Sequence, residues 1–598
     1  MQLRRLLCCL LVVFSTATVL AQQTGAIHGR VTATDGSALP GVTVEARSNV
    51  LPRPRVTVSD GNGDYRLPQL QPGSYTLTFT LSGMQTATRN ADALLGQDLA
   101  ADVKMGVAGV SENITVTAEN TLVDRQSTAI QSGLSQKEIQ RLPLQQNYGD
   151  LQKLIPGVMY TQDNVRGPSA GGSGQSNVYL FDGINITMPL FGVLNPAGEP
   201  NTHDIAQVNV IKGGAKAVDF DRAGGFLIDS VSKSGTNKYS GELSYQALNH
   251  NFVANQVGTQ NLTYNQDRDW STVNLGGPIL SDRLFFYGSY YQPDYTRSNQ
   301  ANNYGTLPQY SLKEKEEFLK LTATPTQSIL INGSYRNSHT IETSGNFGAF
   351  QAPTTGSGNN GKIQLGTLEG SWIVNPKSYA TAKFTDYRNP GGGSSDFLAT
   401  NAQVSTTLGA QLDIANLGTI GRLIVPTPSG TNTAFNAFVQ PFINKYGYTC
   451  PQNPGAVGLT CVAGALTGGG TVGFGQFAQD NDSFFRKAGQ FGYNWTFGGS
   501  VTQDVHVGYM HDNESEDRFQ TSNGWGVITI PGGIGVAGTC PTGTACAGQP
   551  AFFVATFPQQ TTGAVPSLHS EFHTDAFEVN DTIHMRNWTF NLGLMDSD

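Results

Sequence analysis

From residue 237 onward the chain repeats one pattern, short runs with apolar or aromatic residues at every second position. The runs are ELSYQAL, STVNLGGPI, RLFFYGSYY, EFLKLTATP, SILINGSY, KIQLGTLEGSWIV, SYATAKFTDY, FGYNWTFGGS, DVHVGYM, FEVNDTIHM and NWTFNLGL. A period of two is the period of a strand, whose successive side chains point to opposite faces. In SYATAKFTDY, Ala380, Ala382 and Phe384 share one face while Thr381, Lys383 and Thr385 share the other. One face suits lipid and the other suits water. The spacers sharpen the reading. Tight turns are expected at 280–283, 325–328, 375–378, 502–504 and 585–587, and long polar loops lie between them, the longest over about 389–487. Short connections on one side and long ones on the other are the habit of an antiparallel transmembrane β-barrel.

The rest of the composition agrees with a modular, mostly β chain. Its 598 residues include 71 Gly and only 14% charged residues, and the net charge of −9 argues against nucleic acid as a partner. The opening MQLRRLLCCLLVVFSTATVLA pairs a basic start with a short apolar run closed by small residues. It reads as a signal peptide over residues 1–21, which takes Cys8 and Cys9 with it. No later run is long and apolar enough to cross a bilayer as a helix. The other cysteines, Cys450 with Cys461 and Cys540 with Cys546, fall in two successive long loops, so two local disulfides are expected in an exported chain. Their separations do not suit zinc, and the scattered histidines show no ligand spacing. No metal, no cofactor and no catalytic residue is expected.

Between the leader and the barrel pattern lie two further regions. Over 24–105, GRVTATDGSALPGVTVEA and VSDGNGDYRLPQLQPGSYTLTFTLSGM give short strands at even spacing, a small β-sandwich. These motifs resemble the carboxypeptidase regulatory-like domain, an accessory module without a peptidase site. Over 106–235 the chain turns mixed α/β, with a helical stretch SQKEIQRLPLQQNYGDLQKLIPG whose Ser135 and Glu138 fit a capping box. NVYLFDGINIT and IAQVNVIKGGAKAVDFDRAGGFLIDSVSKSGTNKYSGEL follow. They resemble the plug domain of TonB-dependent outer-membrane receptors, in the Oar-like subgroup that also carries the β-sandwich. Asp182, Gly183, Gly213, Gly214, Arg222, Gly224 and Gly225 are the plug-motif positions.

The resemblance implies more than a fold. It places a TonB box at the β-branched strip Glu112, Asn113, Ile114, Thr115, Val116, Thr117 and Ala118, which would add as a strand to the periplasmic protein TonB. An ordinary last strand of the sandwich is the competing reading of that strip. The implied partners are TonB with its inner-membrane energising complex, outer-membrane lipid, and an unidentified solute such as an iron chelate, a glycan, a peptide or cobalamin. The implied activity is energised uptake across the bacterial outer membrane, with the sandwich in the periplasm. A non-transporting adhesin or assembly scaffold is the alternative.

Smaller features are weighed the same way. GSGNNGKI at 356–363 lacks the Ser or Thr and the helix of a phosphate loop and is assigned to an outer loop. DNESEDRF at 512–519 reads as a solvated charge run. Phe285, Phe286, Tyr287, Tyr290, Tyr291, Trp372, Trp495 and Trp588 are expected in the interfacial girdle. Eleven strands are half of the 22 that the resembled family closes, so over 236–598 a partial, truncated barrel is expected, the front of a longer protein.

Overall fold

The computed structural model describes residues 24–107, 115–116, 131–135, 138–139, 148–159, 168–169, 173–188, 194, 199–212, 225–254, 265–345, 347–398, 413, 416–473, 477–499, 501–531, 548–549, 553–556, 567–585 and 588–598. The leader, Cys540, Cys546, Gly213, Gly214, Arg222, Gly224, Glu112, Asn113, Ile114, Thr117 and Ala118 lie outside them.

Eleven antiparallel strands run in sequence order through the largest, twelve-stranded sheet, from Ser240–Leu248 to Trp588–Ser597, with the short Gly392–Ser395 beside this path, and each end strand pairs on one side only. The period-two pattern sets its faces. On Ser357–Asn375 and Ser378–Asn389, Leu368 and Trp372 are 58% and 52% exposed and Phe384 is 49% exposed, whereas Glu369, Thr381 and Lys383 are buried. This inverts the usual arrangement of a water-soluble core, because the apolar face has lipid to meet and the polar face has a filled interior. Between its two end strands the sheet pairs each strand's backbone groups with both neighbours, which is what a hydrocarbon environment demands. No helix among the described residues is long and apolar enough to cross a membrane.

Four of the five tight turns fall where the spacing puts them. The fifth moves: Phe477–Gly498 ends and Val501–Ser522 begins ahead of 502–504, which lie within the second of these strands. Gly498 makes that turn, with φ +117° and no room for a side chain against the Val501 carbonyl. Strands also run further out than the sequence pattern suggests. Residues 357–363 belong to Ser357–Asn375 and 512–519 to Val501–Ser522, so neither GSGNNGKI nor DNESEDRF is a loop. The girdle expectation holds for Trp372, Trp495 and Trp588, which face outward, and fails for Phe285, Tyr287 and Tyr291, which are buried. Strand parity decides it, since 285, 287, 289 and 291 all point into the barrel.

The sandwich packs two sheets around Ile27, Val31, Val44, Leu67, Tyr75, Leu77 and Phe79. In Gly73–Thr80 every second residue is buried, the sequence alternation made real. The structure adds a strand, Ala87–Ala93, that the pattern hides because its inward residues are alanines. The sandwich sits against the turn end of the barrel. Arg66 bridges Asp98 of the sandwich and Asp504 of a barrel strand, both at 2.8 Å, and Arg53 donates to the Asp282 carbonyl at 3.1 Å.

An inner domain fills the barrel. Its five strands, Gln131–Ser135, Val178–Phe181, Ile184–Asn185, Ile205–Ile211 and Leu227–Ser232, form one mixed sheet. The capping box closes as the spacing requires, the Ser135 amide donating to Glu138 Oε2 at 2.7 Å and the Glu138 amide to Ser135 Oγ at 3.4 Å, and the next described turn is a 3₁₀ helix, Tyr148–Leu154. Aromatic and aliphatic residues of this sheet, among them Tyr179, Phe181 and Ile228, share a core with the inward Tyr287, Phe318, Leu365 and Tyr387 of the barrel.

At the opposite end the long connections fold into a lobe of their own. The helix Thr433–Tyr446 is capped by Asn432, whose Oδ1 accepts from the Phe435 amide, and buries Phe435, Val439 and Ile443 at i, i+4 and i+8. They pack with Ile420, Leu423, Trp525 and Ile528. Cys450 and Cys461 are joined in a disulfide beside the short pair Tyr448–Thr449 and Leu466–Thr467. Cys450→Ser is expected to lower the stability of this lobe by about 3 kcal/mol while the barrel strands keep their protection in hydrogen exchange. Equal loss in lobe and barrel would show that the two do not fold separately.

Candidate functional site

The inner domain is held by charges, and strand parity brings them together. Glu314, Glu316 and Lys320 lie at even positions of Tyr310–Ala323, and Arg336 on Ile329–Gly345 faces the same way. Arg336 pairs with Glu316, both essentially buried, and donates to the Glu199 carbonyl at 2.6 Å. Asp204 of the inner domain accepts from Tyr287 Oη at 2.8 Å and Ser289 Oγ at 2.7 Å, one oxygen each. A second cluster is built on Asp182. It accepts from the Ser232 amide at 2.9 Å and Ser232 Oγ at 2.6 Å, and Lys320 Nζ stands 3.4 Å away. In the third, Arg486 of the barrel pairs with Glu514 and donates to the Asn185 carbonyl at 2.8 Å. Three barrel cations thus each hold an inner-domain oxygen or its neighbour.

The local backbone explains two motif positions. Asp182 and Gly183 both have positive φ, +47° and +71°, at the turn between Val178–Phe181 and Ile184–Asn185. A Cβ on Gly183 would overlap Lys383 of the barrel, so glycine lets the turn press against the wall. A Cβ on Gly225 would overlap Asn177, whose Oδ1 accepts from the Phe226 amide at 3.1 Å. Thr115–Val116, the described part of the β-branched strip, is seated on the sandwich. It runs parallel to Ala87–Ala93, with Thr88 opposite Thr115 and Arg89 opposite Val116. Sequence reasoning singled out none of Glu199, Asp204, Glu316, Lys320, Arg336 or Arg486. The signal was available, because a charge on the polar parity of a barrel strand must point inward.

Two carboxyls of the inner domain are perturbed. Burial pushes Glu199 up to about 7, with Asp150 and Glu314 adding to it and the Gly149 amide and Arg336 opposing. Burial, then Glu316, pushes Asp204 up to about 6 against the hydroxyls of Ser289 and Tyr287. Acids raised in the seated state bind more protons there than in the unfolded chain. Stability is therefore greatest below the ordinary carboxylate range and falls as pH rises through it to about 7, then levels off. The inner domain's hydrogen-exchange protection is expected to fall between about pH 5 and pH 7, with Glu199 contributing up to about 3 kcal/mol. Glu199→Gln should flatten the slope. A rise in protection over that range, or an unchanged slope in the variant, would contradict the assignment.

Three family models match in order along the chain. The Carboxypeptidase regulatory-like domain matches residues 26–106, the TonB-dependent Receptor Plug Domain residues 123–225, and an Outer membrane beta barrel domain residues 231–314. A curated relative, the TonB-dependent transporter Oar of Myxococcus xanthus, is 27% identical over 330 residues, covering 50% of this chain and 30% of that protein. The crystal structure of the outer membrane transporter YddB from Escherichia coli superposes with a TM-score of 0.53 at 14% identity, over 78% of this chain and 56% of that one. The chain thus spans about a third of the length of the curated relative and just over half of the solved transporter. In sequence order, then, the chain is similar to a carboxypeptidase regulatory-like domain, to the plug domain of TonB-dependent receptors and to an outer-membrane β-barrel domain.

Proposed function

We propose that the protein takes up a scarce or bulky solute across the outer membrane, and that TonB opens the path by pulling on the strip around Thr115–Val116. The observation that carries this reading is the polar seat of the plug. Lys320 of the barrel faces Asp182 of the plug, and Arg336 and Arg486 donate to plug carbonyls; such buried charged contacts hold a geometry well, yet contribute little net stability because water solvates the separated groups almost as favourably. A plug leaving such a seat exposes groups that water accepts. The apolar share of the seat, where Tyr287, Phe318 and Leu365 of the barrel pack on the plug, resists at about 25 cal/mol for each Å² exposed.

The strip fits the other half of the scheme. Two residue pairs hold Thr115–Val116 on the sandwich edge, a seat short enough to be surrendered to a longer strand of a partner. Fourteen residues of chain separate Val116 from Gln131–Ser135, the edge strand of the plug sheet, which lies on Ile205–Ile211. A pull on the strip would reach that edge first. The sandwich, against the turn end of the barrel, would lie in the periplasm where TonB can reach it. No bond of the solute is made or broken in this scheme, and the protein would not be an enzyme.

Deleting Glu112 to Ala118 is expected to abolish uptake into cells producing the protein, to background, while its level in the outer membrane stays unchanged. Collapsing the proton gradient should do the same to the unaltered protein. Uptake that survives the deletion would remove the strip from the mechanism.

A further inference from the structure

The sandwich covers the turn end of the barrel along most of its arc. At one side Asn237 Nδ2 donates to the Pro52 carbonyl at 3.2 Å, beside the bond from Arg53 to Asp282. Further round, Arg55 donates to the Gln327 carbonyl, and Gln69 shares a hydrogen bond with Tyr379, the second residue of Ser378–Asn389. On the far side Arg66 stands between Asp98 and Asp504, with His28 on Asp98 at 2.7 Å and His584 on Asp504 at 3.5 Å. The sandwich also reaches the plug. The buried Leu95 amide donates to Gln207 Oε1 at 3.1 Å, and a Cβ on Gly96 would lie 3.1 Å from Asn209 Nδ2. Gln207 and Asn209 are both buried on the plug strand Ile205–Ile211.

These contacts have a common character, since each is a hydrogen bond or an ion pair. The core of the sandwich, around Ile27, Tyr75 and Phe79, shares no residue with the core that joins the plug to the barrel wall. Domains that meet without a common apolar core are free to move relative to one another. Under the joint lies a cavity of about 40 Å³, lined among others by Val50, Gln71 and Pro72 of the sandwich, Asp182 and Ser232 of the plug and Lys320 of the wall. It is polar and large enough to hold water. The sandwich is thus the floor on which the plug and its Lys320 contact rest. A plug leaving through the turn end would have to pass it, because Leu95 and Gly96 lie against Ile205–Ile211.

We infer that the sandwich is a second closure of the barrel: it retains the plug from the turn end and has to swing off as a folded unit before the plug can leave. That this opening serves transport rests on the uptake reading above; the retention does not. The test is hydrogen exchange of the whole chain in detergent across a urea series. Three forms are compared: the parent, Arg66→Ala, and Arg53→Cys with Asn237→Cys joined by a short bismaleimide, with the parent treated with the same reagent as control. The Leu95 amide reports the joint, Gly73–Thr80 the sandwich itself and Ile205–Ile211 the plug. In the parent, Leu95 is expected to open at lower urea than either strand. Arg66→Ala removes a cation shared by two carboxylates and should speed Leu95 exchange about tenfold, with Gly73–Thr80 unchanged. The cross-link should slow Leu95 and move the loss of protection on Ile205–Ile211 to higher urea. The proposal is overturned if Leu95 opens only together with Gly73–Thr80, if Arg66→Ala leaves Leu95 as protected as in the parent, or if the plug strand opens at the same urea with and without the cross-link. No solute and no TonB enter this experiment. Retention without uptake would therefore remove transport alone, and energised uptake that proceeds in cells with the cross-link in place would remove the second closure alone.

Discussion

Everything in this protein follows from strands that must satisfy their backbone in lipid. With no water in the hydrocarbon layer, each amide and carbonyl has to find its partner in a neighbouring strand. Between its end strands the sheet does this in sequence order, and the period of two then leaves one face for lipid and one for the interior. Leu368 and Phe384 stand opposite each other on the outside while Glu369 and Lys383 stand opposite each other inside.

The inward face then needs a polar partner, and the plug supplies it. A wall bearing Glu316, Lys320, Arg336 and Arg486 cannot be packed with hydrocarbon without a large desolvation cost. The plug meets it with carboxylates and backbone carbonyls, at Asp182, Glu199 and Asn185. At the outer end the constraint is relaxed, and the lobe there has an apolar core and a disulfide like any exported soluble domain.

Much of this was legible in the sequence. All eleven barrel strands were visible because alternation is a local signal that needs no knowledge of the fold, and the Ser135–Glu138 cap was visible because its partners are three residues apart. What stayed hidden depended on contact across the sequence. The Ala87–Ala93 strand carries the right period with side chains too small to register. Phe285 and Tyr287 were read as a lipid girdle because aromatic content was weighed above parity. The seat of the plug joins Glu199 to Arg336 and Asp182 to Lys320, 137 and 138 residues apart, and no spacing rule reaches that far. The turn that follows Gly498 was displaced by a glycine whose conformation only the fold reveals.

The most direct test is of the inverted faces. Nitroxide labels placed one at a time from Ala380 to Thr385 would be read for collision with oxygen, which concentrates in lipid, and with a water-soluble nickel chelate. Labels at Ala380, Ala382 and Phe384 should meet oxygen, and labels at Thr381, Lys383 and Thr385 should be shielded from it. Loss of the alternation, or an alternation of the opposite phase, would contradict the barrel and with it the seat of the plug.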